Sequence, residues 1–361
     1  MIPLNLPAMA ESERPFVTRL VRDGGGPDDS VLLDEDEHGA VFAGTYGLVS
    51  IDGLKAAELE GDVILVQPQT GGTARAERIL RAGSPHNTLL VTERCDQLCV
   101  MCSQPPKKTH VDRFDHFERA CLLAEDGKLI GVSGGEPTLY KDALLGMMER
   151  VLAERPDLRF HVLSNGQHFT SDDALRMRDP LYRRVSWGIP LYAAEADLHD
   201  RIVGKDGAFA RLEESFAHLI MAGSRIELRT VLLTDNLSAL STLARHIVTR
   251  LRFIEVWSIM QLENIGFARN RWNALRVDHR VDFEPVAAAL DWAELHGVSA
   301  QLFNFPRCTI PEQYRNQAPA SISDWKQKYV PACAACRERA ECCGFFEWHP
   351  DSEASYGVNP L

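Results

Sequence analysis

No stretch of this 361-residue chain is apolar over the ~20 residues a membrane-spanning helix needs. The opening Met1-Ile-Pro-Leu-Asn-Leu-Pro7 has neither a basic n-region nor a long apolar h-region. A secretory signal is therefore not expected, and the chain reads as cytoplasmic with no membrane partner. Positive charge is also short: 39 Lys and Arg face 51 Asp and Glu, a net charge of −12. A phosphate backbone calls for a basic face, so no nucleic-acid partner is expected. Low-complexity tracts are missing, and so is any internal repeat beyond a strand–helix period. The hydrophobic fraction, 45%, is that of an ordinary globular protein with material for a large core.

Cysteine, by contrast, is plentiful and clustered. Nine cysteines fall into two groups and one singleton, Cys121. In a cytosolic chain such groups point to metal rather than to disulfides. Cys121 lies in a helix predicted over 114–125 and reads as a small buried hydrophobe.

Three zones follow from patterning. Residues 1–85 are rich in glycine and acidic residues. They carry short β-type runs, Phe16–Val21, Val41–Ala43, Tyr46–Ile51 and Asp62–Val66, and read as a small β-rich domain serving as a cap or a docking module. Residues 86–300 alternate strands with amphipathic helices. The strands are Thr88–Thr92, Leu129–Val132, Phe160–Leu163, Val185–Ile189, Ile226–Leu233 and Ile254–Ile259. Phe209, Leu212, Phe216 and Ile220 share one face of a helix that ends at Gly223, and a second helix runs from Glu284 to His296. Six such units predict an α/β fold, a partial (β/α)6 TIM-like barrel with right-handed crossovers. Residues 301–361 lose regularity and carry five cysteines.

Cys95-Asp-Gln-Leu-Cys99-Val-Met-Cys102 is a C-x3-C-x2-C loop directly after the first strand. Three thiolates can hold three irons of a [4Fe–4S] cube and leave the fourth iron open to another ligand. No fourth ligand is near in sequence, and the spacing is not that of common zinc knuckles. Gly134-Gly135-Glu136-Pro137 follows the second strand and Ser164-Asn165-Gly166 the third. In parallel α/β barrels chemistry sits on these loops, at the C-terminal strand ends. Taken alone, Ser-Asn-Gly is an ordinary turn, and Arg229 within the fifth strand an ordinary ion-pair partner.

Together, the three cysteines and the Gly-Gly-Glu-Pro run resemble the signature of the radical S-adenosylmethionine superfamily. The resemblance implies a [4Fe–4S] cluster on Cys95, Cys99 and Cys102 whose open iron binds S-adenosylmethionine. It implies one-electron cleavage of that cofactor to a 5′-deoxyadenosyl radical. It also implies roles at the cofactor: Met101 near the adenine, Gly134, Gly135, Glu136 and Pro137 around the methionine ammonium, Ser164 and Asn165 on polar atoms, and Arg229 on the carboxylate. Many relatives place a serine near the ribose at the end of the fourth strand, where this chain has Pro190.

The second group is Cys333-Ala-Ala-Cys336 and Cys342, with Cys308 upstream. Four thiolates make a complete site, and composition leaves zinc and iron–sulfur both open. The spacing resembles the C-terminal auxiliary-cluster domains of SPASM and twitch type, which implies one auxiliary [4Fe–4S] cluster, with Cys342 fitting better than the adjacent Cys343. More specifically, Leu89-Leu-Val-Thr-Glu-Arg-Cys95, Cys102-Ser-Gln-Pro-Pro-Lys107, Gln261-Leu-Glu-Asn-Ile-Gly-Phe-Ala-Arg269 and Cys342-Cys-Gly-Phe-Phe346 resemble the His-Xaa-Ser system radical SAM maturases, HxsC. That resemblance implies modification of a ribosomally made precursor peptide by hydrogen-atom abstraction; the alternatives are an iron–sulfur scaffold or electron-relay partner of a sister radical SAM enzyme, or a small-molecule radical SAM enzyme. The implied partners are a second radical SAM protein, a small accessory protein and an external one-electron reductant. Gln261 and Glu263 fall at the end of the sixth strand, to line the substrate face or to make a salt bridge.

Overall fold

The computed structural model describes residues 2–349 and 358–361. Among them the chain first closes a seven-stranded barrel. Its strands are β1 (Asn5–Ala10), β2 (Phe16–Val21), β3 (Asp29–Glu35), β4 (Gly39–Gly44), β5 (Gly47–Asp52), β6 (Val63–Pro68) and β7 (Thr73–Leu80). The order around the barrel is β1-β5-β4-β3-β2-β6-β7, and β7 returns to β1. Every pairing is antiparallel except β2 with β3. Period-two alternation explains the apolar run of β6: Ile64 and Val66 fill the barrel, while Val63 and Leu65 join the main core outside it. The barrel wall thus shares its outer residues with Phe114 and Phe117 of the next helix.

β1, β3 and β7 add to the runs expected from sequence. β7 reads Thr-Ala-Arg-Ala-Glu-Arg-Ile-Leu, residues that favour helix, yet Ala74 and Ala76 face inward in strict alternation. β1 carries Pro7, whose missing N–H argues against a strand interior.

Seven parallel strands follow: β8 (Asn87–Thr92), β9 (Leu129–Gly134), β10 (Arg159–Leu163), β11 (Val185–Pro190), β12 (Arg225–Val231), β13 (Val256–Met260) and β14 (Ala300–Phe303). They lie side by side in sequence order, with β8 and β14 at the edges. The expected count of six is therefore corrected to seven. β14 is four residues, Ala-Gln-Leu-Phe, too short for its alternation to stand out. Outward residues such as Val132, Phe160, Trp187, Leu228, Ile259 and Leu302 pack against the helices and are buried. The positions between them are polar or small: Gly131, His161, Gly188, Glu227, Ser258 and Gln301. A parallel sheet covered on both faces is apolar throughout, so this alternation marks one polar face of the sheet.

The helix over Ala208–Ala222 buries Phe209, Leu212 and Phe216 as expected, but Ile220 is 47% exposed and Leu219 takes the buried place. Gly223, at φ 69°, caps it by donating to the carbonyls of Ile220 and Leu219.

Beyond β14 the chain forms short 3-10 turns and one two-residue ladder, β15 (Gln327–Lys328) with β16 (Phe345–Phe346). Arg81, between barrel and sheet, donates to both oxygens of Asp324 at 2.5 Å and ties the tail to the core. Glu263 reaches Lys326 at 3.4 Å, so of its two expected roles the structure shows the salt bridge. Gln261 is hydrogen-bonded to His279. No described helix is long and apolar enough to cross a membrane.

Candidate metal centre

The loop bearing Cys95, Cys99 and Cys102 leaves the C-terminal end of β8 and is held from three sides. Its backbone N–H groups at Leu98 and Val100 donate to Val203 and Ile202 at 3.0 and 2.9 Å. Phe267 N–H donates to the carbonyl of Cys102 at 2.9 Å. The Gly134-Gly-Glu-Pro loop closes the third side: Gly135 N–H donates to Thr92 at 2.8 Å and Glu136 N–H to Arg94 at 2.7 Å. A Cβ on Gly135 would lie 2.1 Å from the Arg94 carbonyl oxygen, and one on Gly134 2.2 Å from that of Thr92. What these glycines admit here is the backbone of the cysteine loop itself.

Glu136 knits the second loop to the third. It is fully buried, and its carboxylate accepts from Thr138 N–H at 2.8 Å, Thr138 Oγ1 at 2.5 Å, Ser164 Oγ at 2.8 Å and Asn165 N–H at 2.5 Å. Burial pushes its carboxyl up and the four donors oppose that shift. Pro137 starts a 3-10 turn and is buried beside it. Ser164 and Asn165 therefore stand together with Glu136.

Sequence reasoning missed Asp96, the residue after Cys95. Its carboxylate takes Asn165 Nδ2 at 2.8 Å, the Lys205 ammonium, and His168 Nε2 at 3.2 Å. Despite burial, His168 and Lys205 hold this carboxyl well below the usual carboxylate range. The signal available was an acidic residue inside a cysteine loop, a position that calls for compensating cations.

All three thiols are free and partly buried. Burial pushes Cys95 and Cys99 up to about 12, and Cys102 up as well. Glu136 and Asp96 add to the shift at Cys95. Thiols so placed ionise only with a cation bound to them. Met101 is buried among Tyr192, Ile202, Val203 and Leu262, directly behind the loop.

Arg229 sits on the polar face of β12. Its Nη1 lies 3.0 and 2.9 Å from the two oxygens of Glu227, and its guanidinium is 5.9 Å from the Phe303 ring. Pro190 pairs with it in register on β11.

The second cysteine group gathers around one pocket, lined by Cys308, Cys333, Cys336 and Cys342 with Arg307 and Tyr329. Cys343 is fully buried elsewhere, with Ile322 and Phe346. Backbone N–H groups of Arg307 and Gly344 donate to the Cys342 sulfur at 3.4 Å each. The Cys343 thiol and these N–H groups, acting against burial, pull Cys342 down to about 6. Burial raises Cys308 and Cys333.

Among the described residues, no three His, Cys, Asp or Glu side chains stand close enough to hold a single metal ion. A cubane makes a different demand, because each thiolate binds its own iron and the sulfurs stand further apart. The donor chemistry fits that group: three desolvated thiols on one loop, and four around one cavity.

Residues 89–247 match the family model described as Radical SAM superfamily. A curated relative, the AdoMet-dependent heme synthase of Oleidesulfovibrio alaskensis, is 27% identical over 175 residues, 46% of this chain and 44% of its own length. The chain thus spans under half of that relative. Among solved structures, Streptococcus suis SuiB bound to S-adenosylmethionine matches at 13% identity with a TM-score of 0.48, over 60% of this chain and 49% of SuiB. A radical SAM methyltransferase from Sphaerobacter thermophilus matches at 15% identity with a TM-score of 0.43, over 81% of each chain. The matched segment, under half of the chain, is the one whose strand ends carry the three free thiols.

Proposed function

We propose that this protein is a radical S-adenosylmethionine enzyme that modifies a ribosomally made precursor peptide of the His-Xaa-Ser repeat type. The observation carrying the radical part is the three-thiol loop locked to Gly134-Gly-Glu-Pro at the ends of parallel strands within the matched segment. Cys95, Cys99 and Cys102 would hold a [4Fe–4S] cluster. Ser164, Asn165 and Arg229 would bind its cofactor, with Met101 near the adenine. When bound, that pair supplies a 5′-deoxyadenosyl radical able to abstract a hydrogen atom. The chain's own residues orient and shield: the Asp96 and Glu136 networks fix three loops relative to one another, and the buried Met101 cluster keeps water from the loop's back.

Cys308, Cys333, Cys336 and Cys342 would hold one auxiliary [4Fe–4S] cluster. This tail, together with the resemblance of 261–269 and 342–346, supports the peptide substrate, a second radical SAM protein, a small accessory protein and an external one-electron reductant as partners. A second reading, a small-molecule radical enzyme, is favoured by the curated relative's name, which specifies heme synthesis. Reconstituted, reduced protein should cleave S-adenosylmethionine to 5′-deoxyadenosine; absence of cleavage sinks the radical reading. Mass spectrometry of a co-expressed precursor peptide decides between the substrates: an unmodified peptide beside active cofactor cleavage favours the second.

A further inference from the structure

Gln97 stands inside the cysteine loop and is 3% exposed, yet half of its side-chain amide is idle. Its Oε1 accepts from the Cys99 thiol at 3.6 Å. Its Nε2 is buried and has no hydrogen-bond partner among the described residues. A buried amide nitrogen without an acceptor is rare and costly. On its main chain the same residue donates N–H to the Cys95 sulfur at 3.4 Å. One residue thus touches two of the three sulfurs, one through its backbone and one through its side chain. The third, Cys102, donates to the carbonyl of Gln104 at 3.0 Å.

The idle nitrogen has an explanation in the chemistry of Cys99. In the metal-free chain the thiol is the donor and Oε1 the acceptor. Iron binds thiolate, so a ligated Cys99 has given up its proton and only accepts. An amide oxygen 3.6 Å from that sulfur then sets lone pairs against lone pairs. The two ends of a carboxamide are nearly equal in size, so half a turn about its last torsion exchanges them with little change in packing. The exchange puts Nε2–H on the Cys99 sulfur, where it makes a charge-assisted bond. The oxygen moves to the place of the idle nitrogen, and a buried carbonyl tolerates missing partners better than a buried N–H does. The backbone stays in place, and so does the Gln97 N–H on Cys95.

We propose that Gln97 is a positioning residue for the cluster: its side-chain amide turns over on loading and donates to the Cys99 sulfur, while its backbone N–H serves Cys95. Hydrogen bonds to the sulfurs favour the reduced cluster, which is one charge more negative, and so raise its reduction potential. Gln97 thereby makes it easier for an external one-electron reductant to charge this centre. The proposal rests on the reading that Cys95, Cys99 and Cys102 hold a [4Fe–4S] cluster.

The test uses the reconstituted full chain under anaerobic conditions. The cluster of this loop is identified as the paramagnetic signal of the reduced protein that Cys99→Ala lacks. Its potential is read by redox titration followed by electron paramagnetic resonance. Gln97→Leu removes the amide and keeps the side chain buried. It should shift the reduction equilibrium about fivefold toward the oxidised cluster, as expected for one hydrogen bond, a fall of about 40 mV at about 59 mV per decade. An unchanged potential at wild-type iron content overturns the proposal. A second measurement needs no variant. In wild-type protein made with glutamine carrying nitrogen-15 in its side-chain amide, pulsed resonance of the same signal should show coupling to that nitrogen. Absence of the coupling overturns the proposal, even where Gln97→Leu fails to take up iron. Cofactor cleavage is measured on the same wild-type preparation: cleavage without the potential shift overturns the role of Gln97 alone, and the shift without cleavage overturns the radical reading alone.

Discussion

The two cysteine regions are built on opposite principles. The first hangs three thiols on a loop clamped between the ends of parallel strands, with two carboxylates beneath it, Asp96 and Glu136. The second gathers four thiols from 3-10 turns and irregular chain, where the Cys343 thiol and two backbone N–H groups face the Cys342 sulfur. In the first region burial and carboxylates raise thiol pKa values; in the second, the neighbouring Cys343 thiol, helped by local N–H donors, lowers one of them. The lesson is that rigidity and thiol reactivity are set separately. A strand-end loop gives precise placement at the cost of stubborn protonation, and a loop-rich tail gives an easily ionised sulfur in a looser frame.

The largest expected effect separates the two directly. Cys99→Ala should reduce S-adenosylmethionine cleavage to background with the far-ultraviolet circular dichroism intact. Cys333→Ala should lower bound iron from about eight to about four per chain, as two cubanes imply, with cleavage reduced yet measurable. If Cys99→Ala still cleaves the cofactor, the division of labour is wrong.

Next, in metal-free protein near pH 7, iodoacetamide should label Cys342 about a hundredfold faster than Cys95 or Cys99. A group at about 6 is mostly thiolate there, one at about 12 almost never, and the lower nucleophilicity of the more acidic thiolate offsets only part of that ratio. Cys343, fully buried, should stay unlabelled. Equal labelling of Cys342 and Cys99 would erase the electrostatic half of the comparison.

Glu136→Gln should cost about 2 kcal/mol in urea unfolding, because an amide NH2 would face donors that a buried carboxylate now satisfies. Glu338→Gln, at the partly exposed pair with Arg307 in the tail, should stay within about 0.5 kcal/mol. The smallest effect carries a pH signature. The pKa of Asp96 is depressed in the folded protein, so its stabilisation is present above the ordinary carboxylate range and lost as pH falls through the folded value. Asp96→Asn should therefore cost about 1 kcal/mol near neutral pH, discounted for its partial exposure, with the gap closing in acid. A gap that widens in acid would reverse the sign.

Much of the fold could be read directly from residues whose pattern matches their environment. β2 and the first six strands of the parallel sheet announce themselves as apolar runs ending at turn residues. β7 does not, because alanine and arginine carry no strand signal until a barrel imposes alternation on them. β14 is too short to show its period, and Ile220 sits one position off the buried stripe. In the candidate site, Cys95, Cys99, Cys102 and Glu136 are legible by type and spacing. Asp96 is not, since its partners Asn165, His168 and Lys205 are far from it in sequence. Glu227 and Arg229 did leave a trace: two charges at period two inside a strand otherwise buried among neighbours mark a polar face.

The sequence by itself determined the donor chemistry. Which thiols share a loop, which loop follows which strand, and how acidic the chain is are all local or additive properties. Only the tertiary structure decided what each donor does with its proton. Cys342 rather than Cys343 lines the tail cavity because the chain turns one sulfur outward and buries the next. Glu227 gathers donors from three strands because the parallel sheet brings distant residues to one carboxylate, and desolvation there makes its ionisation depend on all of them at once.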